Sequence, residues 1–114
     1  MKEVAIVIPN YNGMQYLETC LSSLERQSFR EFNIYLVDNG STDQSRSFVS
    51  GRFPGVQWIQ LDQNYGFSRA VNEGILRSEE PYVILLNNDT QAEETFVEEI
   101  LQGIRRHPKA FSAG

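Results

Sequence analysis

Several features that would identify a common type of site are scarce or missing in this chain of 114 residues. Its single cysteine, Cys20, excludes an internal disulfide and a cysteine-rich zinc site, and its helical spacing from leucines predicts a small buried hydrophobe. The single histidine, His107, lies at the end of a predicted helix, so no Ser-His-Asp arrangement can be drawn. Neither a G-x-G-x-x-G fingerprint nor a Walker pattern occurs. A phosphate ligand would therefore have to be bound in another way.

Positive charge is also in short supply. The chain has 10 basic and 15 acidic residues, which gives a formal net charge of −5. This composition does not provide a basic face for a nucleic acid, so we expect no nucleic-acid partner. A nucleotide ligand would need local help from backbone amides or from a divalent cation.

Long apolar runs are absent as well. No stretch approaches the roughly 20 apolar residues that cross a bilayer, and the run at residues 4–8 is too short for a signal peptide. The composition, 40% hydrophobic and 22% charged, is that of an ordinary globular protein. We therefore expect a single cytoplasmic domain over residues 1–114, with membrane association only through a longer parent protein.

What the chain does contain is an alternation of strand and helix patterns. Apolar, β-branched runs predict strands at residues 4–8, 32–37, 56–61 and 82–86. Helical spacing of apolar residues predicts a helix after each strand. This order calls for right-handed crossovers and predicts an α/β fold with a mainly parallel sheet.

The ends of these elements carry signals of their own. Pro9 is predicted to end the first strand, because it lacks a backbone donor. Thr90 is predicted to cap the last helix, with Glu93 and Glu94 in its first turn. Ser41 or Thr42 is expected to cap the second helix, and the third is predicted over residues 66–76 with Phe67, Ala70, Val71 and Ile75 on one side.

Four polar clusters follow the four predicted strands. In a parallel sheet the loops after the strands open at one edge, where ligands of open α/β sheets bind. The clusters therefore predict one site assembled from distant parts of the sequence. They are Pro9-Asn10-Tyr11-Asn12, Asp38-Asn39-Gly40-Ser41-Thr42-Asp43, Asn64-Tyr65-Gly66-Phe67-Ser68 and Asn87-Asn88-Asp89-Thr90.

Two carboxylates in these clusters are candidate ligand contacts. Asp38 could accept a hydrogen bond from the base or ribose of a nucleotide, or could only shape its turn. Asp89 could hold Mg²⁺ or Mn²⁺ while the ion bridges diphosphate oxygens, or could simply precede the following helix. Similarly, Gly66 and Arg69 could receive an anionic group at a helix start, or form an ordinary glycine turn. Tyr11 could stack on a base.

Taken together and in order, four motifs resemble the N-terminal half of a family 2 glycosyltransferase, a subgroup similar to rhamnosyltransferases. The resemblance implies a Rossmann-like GT-A fold, a three-layer α/β/α arrangement truncated here after about four strands. It also implies an inverting enzyme that takes a nucleotide-diphospho-sugar, UDP- or dTDP-linked, and a saccharide or lipid-linked hydroxyl acceptor, as in polysaccharide biosynthesis. The motifs are Val-Ile-Pro-Asn-Tyr-Asn-Gly, Val-Asp-Asn-Gly-Ser-Thr-Asp, Asn-Tyr-Gly-Phe-Ser-Arg-Ala-Val-Asn-Glu-Gly and Leu-Leu-Asn-Asn-Asp-Thr.

The resemblance also implies roles for individual positions. Asp89 would bind Mg²⁺ or Mn²⁺, and Asp38 would contact the base or ribose. In this family the first and fourth strands are neighbours and the second lies beside the first. The implied nucleotide-sugar-binding residues are Pro9, Asn10, Tyr11, Asp38, Asn64, Gly66, Arg69, Asn72, Asn87 and Asn88.

Two departures from the family pattern affect these expectations. Asn87 replaces the first acid of the Asp-x-Asp motif, which removes one charge from the metal site. The family's catalytic base lies in its second half, so no catalytic residue is expected before Gly114. An alternative is a non-catalytic module, binding a nucleotide or forming a homodimer through an exposed sheet edge. A third alternative, a phosphoacceptor receiver domain, shares the alternating architecture but would have two acidic residues after the first strand, where this chain has Pro9 and Asn10.

Overall fold

The computed structural model describes residues 2–106, in which four strands alternate with four helices as predicted. Residues 107–114, including His107, lie outside the described part of the chain. The strands are β1 (Val4–Asn10), β2 (Phe32–Asp38), β3 (Gln57–Gln60) and β4 (Tyr82–Leu85). The helices are α1 (Met14–Glu25), α2 (Ser45–Arg52), α3 (Phe67–Arg77) and α4 (Phe96–Arg106).

The strands form one parallel sheet in the order β3-β2-β1-β4. The sheet grows from β1 in one direction through β2 and β3, and in the other direction to β4. The strand order therefore reverses between β1 and β4, and in open α/β sheets a crevice opens at the carboxyl ends of the strands at such a point. The expected adjacency of the first and fourth strands is confirmed.

Helices cover both faces of the sheet. Along β1 the side chains of Val4, Ile6 and Ile8 pack into a core with α1, α2 and α4, whereas Ala5 and Val7 pack into a second core with α3. Because a strand covered on both faces has no polar side, β1 reads as a continuous apolar run. The predicted three-layer α/β/α architecture is confirmed.

The prediction that Pro9 ends the first strand is wrong, because β1 continues to Asn10. Val7 accepts a hydrogen bond from the Leu86 amide on the β4 side, and Pro9, two residues further on, faces the same side. Since β4 ends at Leu85, which pairs with Val7, no strand remains there to receive a donor from Pro9. The missing amide hydrogen therefore costs β1 nothing.

The predicted start of the last helix is also wrong. Thr90 does not cap α4, which begins at Phe96, so Glu93 and Glu94 precede it. Buried Gln27 holds this segment, since its Nε2 donates to the Glu93 carbonyl at 2.6 Å. Its Oε1 accepts from the Val97 amide at 2.9 Å and so caps the new helix start. Long-range contacts with the end of α1 thus override the local cap signal.

Two smaller corrections concern α2 and α3. Neither Ser41 nor Thr42 caps α2; instead the Asp43 carboxylate accepts from the Ser45 amide at 3.0 Å. In α3 the buried residues are Ala70, Val71 and Gly74, whereas Phe67 and Ile75 are exposed. Gly74 lies against the sheet, since an added Cβ there would overlap Val7 Cγ1.

Within the described residues, β4 has a neighbouring strand on one side only, as does β3. The homodimer through an exposed sheet edge stays a prediction. Across residues 2–106, none of the helices has the length and apolar character needed to cross a membrane.

Candidate functional site

A cleft of about 430 Å³ opens at the carboxyl edge of the sheet. The loops after all four strands contribute to its wall, as the positions of the polar clusters predicted. Most of the predicted binding residues lie here together, joined by two that were not assigned a role. The lining residues are Pro9, Asn10, Tyr11, Asn39, Asn64, Gly66, Phe67, Asn87, Asn88 and Asp89.

Asp38 lies below this cleft and does not line it. Its carboxylate is buried, and Oδ1 accepts from Asn10 Nδ2 at 2.9 Å and from the Ser41 hydroxyl at 2.6 Å. Oδ2 accepts from the Ser41 amide at 2.8 Å and from Gln60 Nε2 at 3.0 Å. With both oxygens engaged, Asp38 ties the ends of β1, β2 and β3 together. Its contact with a base or ribose stays a prediction.

Asn10 connects Asp38 with the loop that follows β4. It is buried, and its Oδ1 accepts from Asn88 Nδ2 at 2.8 Å. Its backbone carbonyl accepts from the Asn39 amide at 2.8 Å. The Asn39 side chain in turn accepts from the Tyr65 amide and donates to the Gly66 carbonyl, both at 3.3 Å. Hydrogen bonds thus join all four loops around the cleft.

The loop after β1 is fixed to the loop after β2 by Asn12. This residue has a φ of 48° in the left-handed region, which asparagine tolerates well. Its Oδ1 accepts from the Thr42 and Asp43 amides, and its own amide donates to the Ser41 hydroxyl. Burial raises the pKa of Asp43, but hydrogen bonds from Ser45 and from the Met14 amide outweigh it and bring the pKa below its ordinary value.

Two aromatic side chains stand at the rim of the cleft. Tyr11 is 49% exposed and Phe67 is 57% exposed, and both line the opening. Gly66 precedes Phe67 with a φ of 92°, a conformation that favours glycine and turns the chain sharply into α3. Aromatic faces at a polar cleft are suited to stacking on a planar ligand group.

Arg69 and Asn72, both predicted to bind the nucleotide, are exposed on α3 and do not line the cleft. The Arg69 guanidinium lies over the Tyr65 ring, 4.5 Å from its centroid, and pairs with Glu73 at 3.5 Å. The contact of both residues with a ligand stays a prediction.

Asp89 is the one carboxylate among the residues that line the cleft. Within the described part of the chain, no three His, Cys, Asp or Glu side chains lie close enough to hold a metal ion. Below Asp89, the buried Cys20 thiol contacts the Asn87 carbonyl at 3.9 Å. Burial, and to a lesser extent the charge of Asp89, raise the pKa of Cys20 to about 12. The predicted burial of Cys20 is confirmed, and its thiol is no ligand.

Two lining residues, Asn39 and Phe67, lie in polar clusters that were predicted to form the site but were not assigned a role in binding. Asn39 directly follows Asp38 in a motif that is also typical of a turn. Phe67 fits the apolar pattern of α3, which indicated no role for it at the cleft. Its position immediately after Gly66 was the available signal, because a helix start at a ligand edge exposes its first side chains.

Curated relatives share this sequence along most of its length. The N-acetylglucosaminyl-diphospho-decaprenol L-rhamnosyltransferase of Mycobacterium tuberculosis is 30% identical over 120 residues, covering 96% of this chain and 39% of the relative. The teichoic acid poly(glycerol phosphate) polymerase of Staphylococcus epidermidis is 32% identical over 95 residues, covering 80% of this chain and 13% of the relative. The chain thus spans well under half the length of these two relatives.

Solved structures show the same fold. S. aureus TarS 1-349 in complex with UDP-GlcNAc superimposes with a TM-score of 0.83 at 25% identity, covering 93% of this chain and 32% of the other. The complex of the same protein with UDP gives a TM-score of 0.82 at the same identity and covers 93% and 33%. The family model described as glycosyl transferase family 2 matches residues 5–114. The ordered motifs, the sheet order and these matches agree, and the chain belongs to glycosyl transferase family 2.

Proposed function

We propose that this chain binds the donor of a sugar transfer, a nucleotide-diphospho-sugar linked to UDP or dTDP. The observation that carries the proposal is the cleft between β1 and β4, whose wall is built from all four loops. Support comes from the fold match to TarS, which was solved with UDP and with UDP-GlcNAc.

The wall of the cleft suggests how the donor lies. Tyr11 and Phe67 offer aromatic faces for the base at one rim. Amide side chains that line the cleft can both donate to and accept from ribose hydroxyls and phosphate oxygens. Gly66 adds a helix start, where backbone amides favour an anionic group.

The residues present fit a divalent cation that arrives together with the diphosphate. Asp89 supplies one hard oxygen ligand, and the neighbouring Asn87 and Asn88 supply amides. Mg²⁺ is commonly held by one or two carboxylates together with substrate phosphates, so a single carboxylate is sufficient in such a site. When bound, Mg²⁺ or Mn²⁺ would neutralise charge on the departing diphosphate.

We place this donor site in a protein that transfers the sugar with inversion to a hydroxyl of a saccharide or lipid-linked acceptor. The relatives' names, a rhamnosyltransferase and a teichoic acid polymerase, support polysaccharide biosynthesis as its setting. We expect this chemistry on the cytoplasmic side of the membrane. No residue among 2–106 is assigned as catalytic base, so the isolated chain is expected to bind the donor without turning it over.

Calorimetric titration with UDP and dTDP, each with and without Mn²⁺, tests the proposal. We expect binding that Mn²⁺ strengthens, and the preferred nucleotide identifies the base. Asp89→Asn should abolish the gain from Mn²⁺ and leave binding without metal nearly unchanged, because it removes only the metal ligand. Glu98→Gln, an exposed carboxylate on α4, controls for the loss of one charge.

Two outcomes would contradict the proposal. A folded chain that bound neither nucleotide would overturn donor binding. An Asp89→Asn variant that kept its full response to Mn²⁺ would overturn the metal assignment alone.

A further inference from the structure

One carboxylate below the cleft, that of Asp38, determines how two amide side chains, Asn10 and Asn88, are oriented. Both oxygens of the Asp38 carboxylate accept hydrogen bonds, so the Asn10 amide must turn its Nδ2 towards it. This leaves Asn10 Oδ1 facing the loop after β4, where only a donor fits. Asn88 meets it with Nδ2 at 2.8 Å. The orientation of Asn88 therefore follows from that of Asp38, two loops away.

Gly13 leaves the space in which this contact is made. A Cβ added at Gly13 would overlap both Asn88 Nδ2 and Asn10 Oδ1, the two atoms of the hydrogen bond. The backbone of Gly13 has a φ of −100°, which any residue adopts. Glycine is therefore required at this position because it leaves space for the Asn10–Asn88 hydrogen bond, and not because of its backbone conformation.

We propose that Asn88 is a positioning residue that fixes the loop carrying Asp89 to Asn10, and through Asn10 to Asp38. The parts of the cleft that take the nucleoside and the diphosphate are thereby held in register before a donor arrives. This inference rests on the proposed function and deepens it. Binding groups that are held in place before the ligand arrives cost less to order on binding.

Gly13→Ala tests this role without altering a residue that lines the cleft. The added methyl meets only the ends of two side chains and no backbone, so it should displace the Asn10–Asn88 pair in a chain that still folds. We expect the affinity for UDP with Mn²⁺ to fall about tenfold, the effect of one lost buried hydrogen bond in a preorganised site. Gly55→Ala is the matched control, since no atom lies within 4 Å of its added Cβ.

Amide hydrogen exchange in the ligand-free chain supplies a second readout. The Ser41 amide donates to Asp38 Oδ2 and lies far from Asn88 in sequence. In Asn88→Ala, Asn10 Oδ1 loses the hydrogen bond donated by Asn88. The Asn10 side chain can then turn away from Asp38, so exchange of the Ser41 amide should accelerate several-fold. A side chain that served only as a ligand contact would not change this rate.

Each outcome is decisive. Unchanged exchange at Ser41 in Asn88→Ala would overturn the connection between the loops. Nucleotide binding by the wild-type chain, with equal affinity in Gly13→Ala, would overturn the positioning role while the proposed function stood. A wild-type chain that bound no nucleotide would overturn the proposed function, and the exchange result would still decide for or against the connection.

Discussion

At the scale of single residues, Cys20 reports on the packing beneath the candidate metal loop. Its thiol is fully buried, contacts the Asn87 carbonyl, and has a pKa raised to about 12. Only the thiolate reacts with disulfide reagents, so a native thiol at mildly alkaline pH is protected both by burial and by its proton. We expect Ellman's reagent to modify Cys20 only when α1 separates from the loop after β4.

The measurement is the reaction rate in buffer and in concentrated guanidinium chloride. Unfolded chain should react promptly with one equivalent of reagent, as its single cysteine requires. Native chain should react orders of magnitude more slowly, in proportion to the population of opened molecules. Equal rates in the two conditions would show that the region around Cys20 is open in solution.

Single residues also show what sequence can and cannot predict about a site. Asn87, Asn88 and Asp89 were found because three polar residues directly follow an apolar strand. The burial of Asp38 was not foreseeable, because its donors Asn10 and Gln60 come from other strands. Residue type and position indicate where a side chain lies along the sheet edge, whereas its partners depend on loops distant in sequence.

At the scale of elements, the contact between α3 and the sheet depends on Gly74. A Cβ at this position would overlap Val7 Cγ1 and lie 3.1 Å from Val37 Cγ2, both in the core of the sheet. Gly74→Ala gains about 1 kcal/mol of helix propensity but overpacks the core, which typically costs about 1–3 kcal/mol. We expect a net loss of up to about 2 kcal/mol in the free energy of unfolding.

Chemical denaturation of two variants checks this prediction. Gly51→Ala is the matched control, because Gly51 lies in α2 with no atom within 4 Å of an added Cβ. That variant should be stabilised by about 0.5–1 kcal/mol. Adding Val7→Ala to Gly74→Ala should restore part of the space. A Gly74→Ala variant as stable as Gly51→Ala would show that α3 does not pack this closely.

Elements themselves were predicted where local signals and tertiary contacts agree. The clearest case is β1, which follows from its apolar run because both of its faces are covered. The edge strand β3 carries the exposed Gln57 and Gln60 and was predicted from the apolar residues between and beside them. The start of α4 was missed, because Gln27 from the end of α1 binds the residues before Phe96 and supplies the cap. A cap signal such as Thr90 acts only through its own neighbours and cannot reveal such a partner.

At the scale of the whole molecule, stability against pH depends in part on a buried carboxyl, Glu80, which lies at the opposite edge of the sheet from the cleft; Asp43, whose pKa is also lowered, contributes in the same direction. Glu80 is buried and accepts from Asn33 Nδ2 at 2.6 Å and from the Tyr35 hydroxyl at 2.9 Å. Burial raises the pKa of Glu80, but these hydrogen bonds and those from the backbone outweigh it and bring the pKa below its ordinary value of 4.5. Burial, followed by the hydrogen bond to Glu80, raises the pKa of Tyr35 to about 12.

These shifts determine the direction of the pH dependence. Around pH 4 the unfolded chain binds more protons than the native chain at Glu80, so the free energy of unfolding falls as the pH drops through the lowered native pKa. The contribution is fully present above the ordinary value of 4.5. At the alkaline end, the raised pKa of Tyr35 stabilises the native state below 10.0, and this contribution is lost as the pH rises towards about 12.

Urea denaturation from about pH 3 to about pH 7 measures the acid limb. We expect the midpoint of the wild-type chain to decline below about pH 4.5. Glu80→Gln should show a shallower decline, because glutamine cannot ionise. It should also start from a lower plateau, because its amide is a weaker partner for Asn33 than the carboxylate. Tyr35→Phe should lower the plateau by about 1–2 kcal/mol, since Glu80 loses a buried donor. Glu98→Gln controls for charge alone. A Glu80→Gln curve that ran parallel to the wild-type curve would place the acid sensitivity elsewhere, and this edge of the sheet would then contribute packing but no linkage to protons.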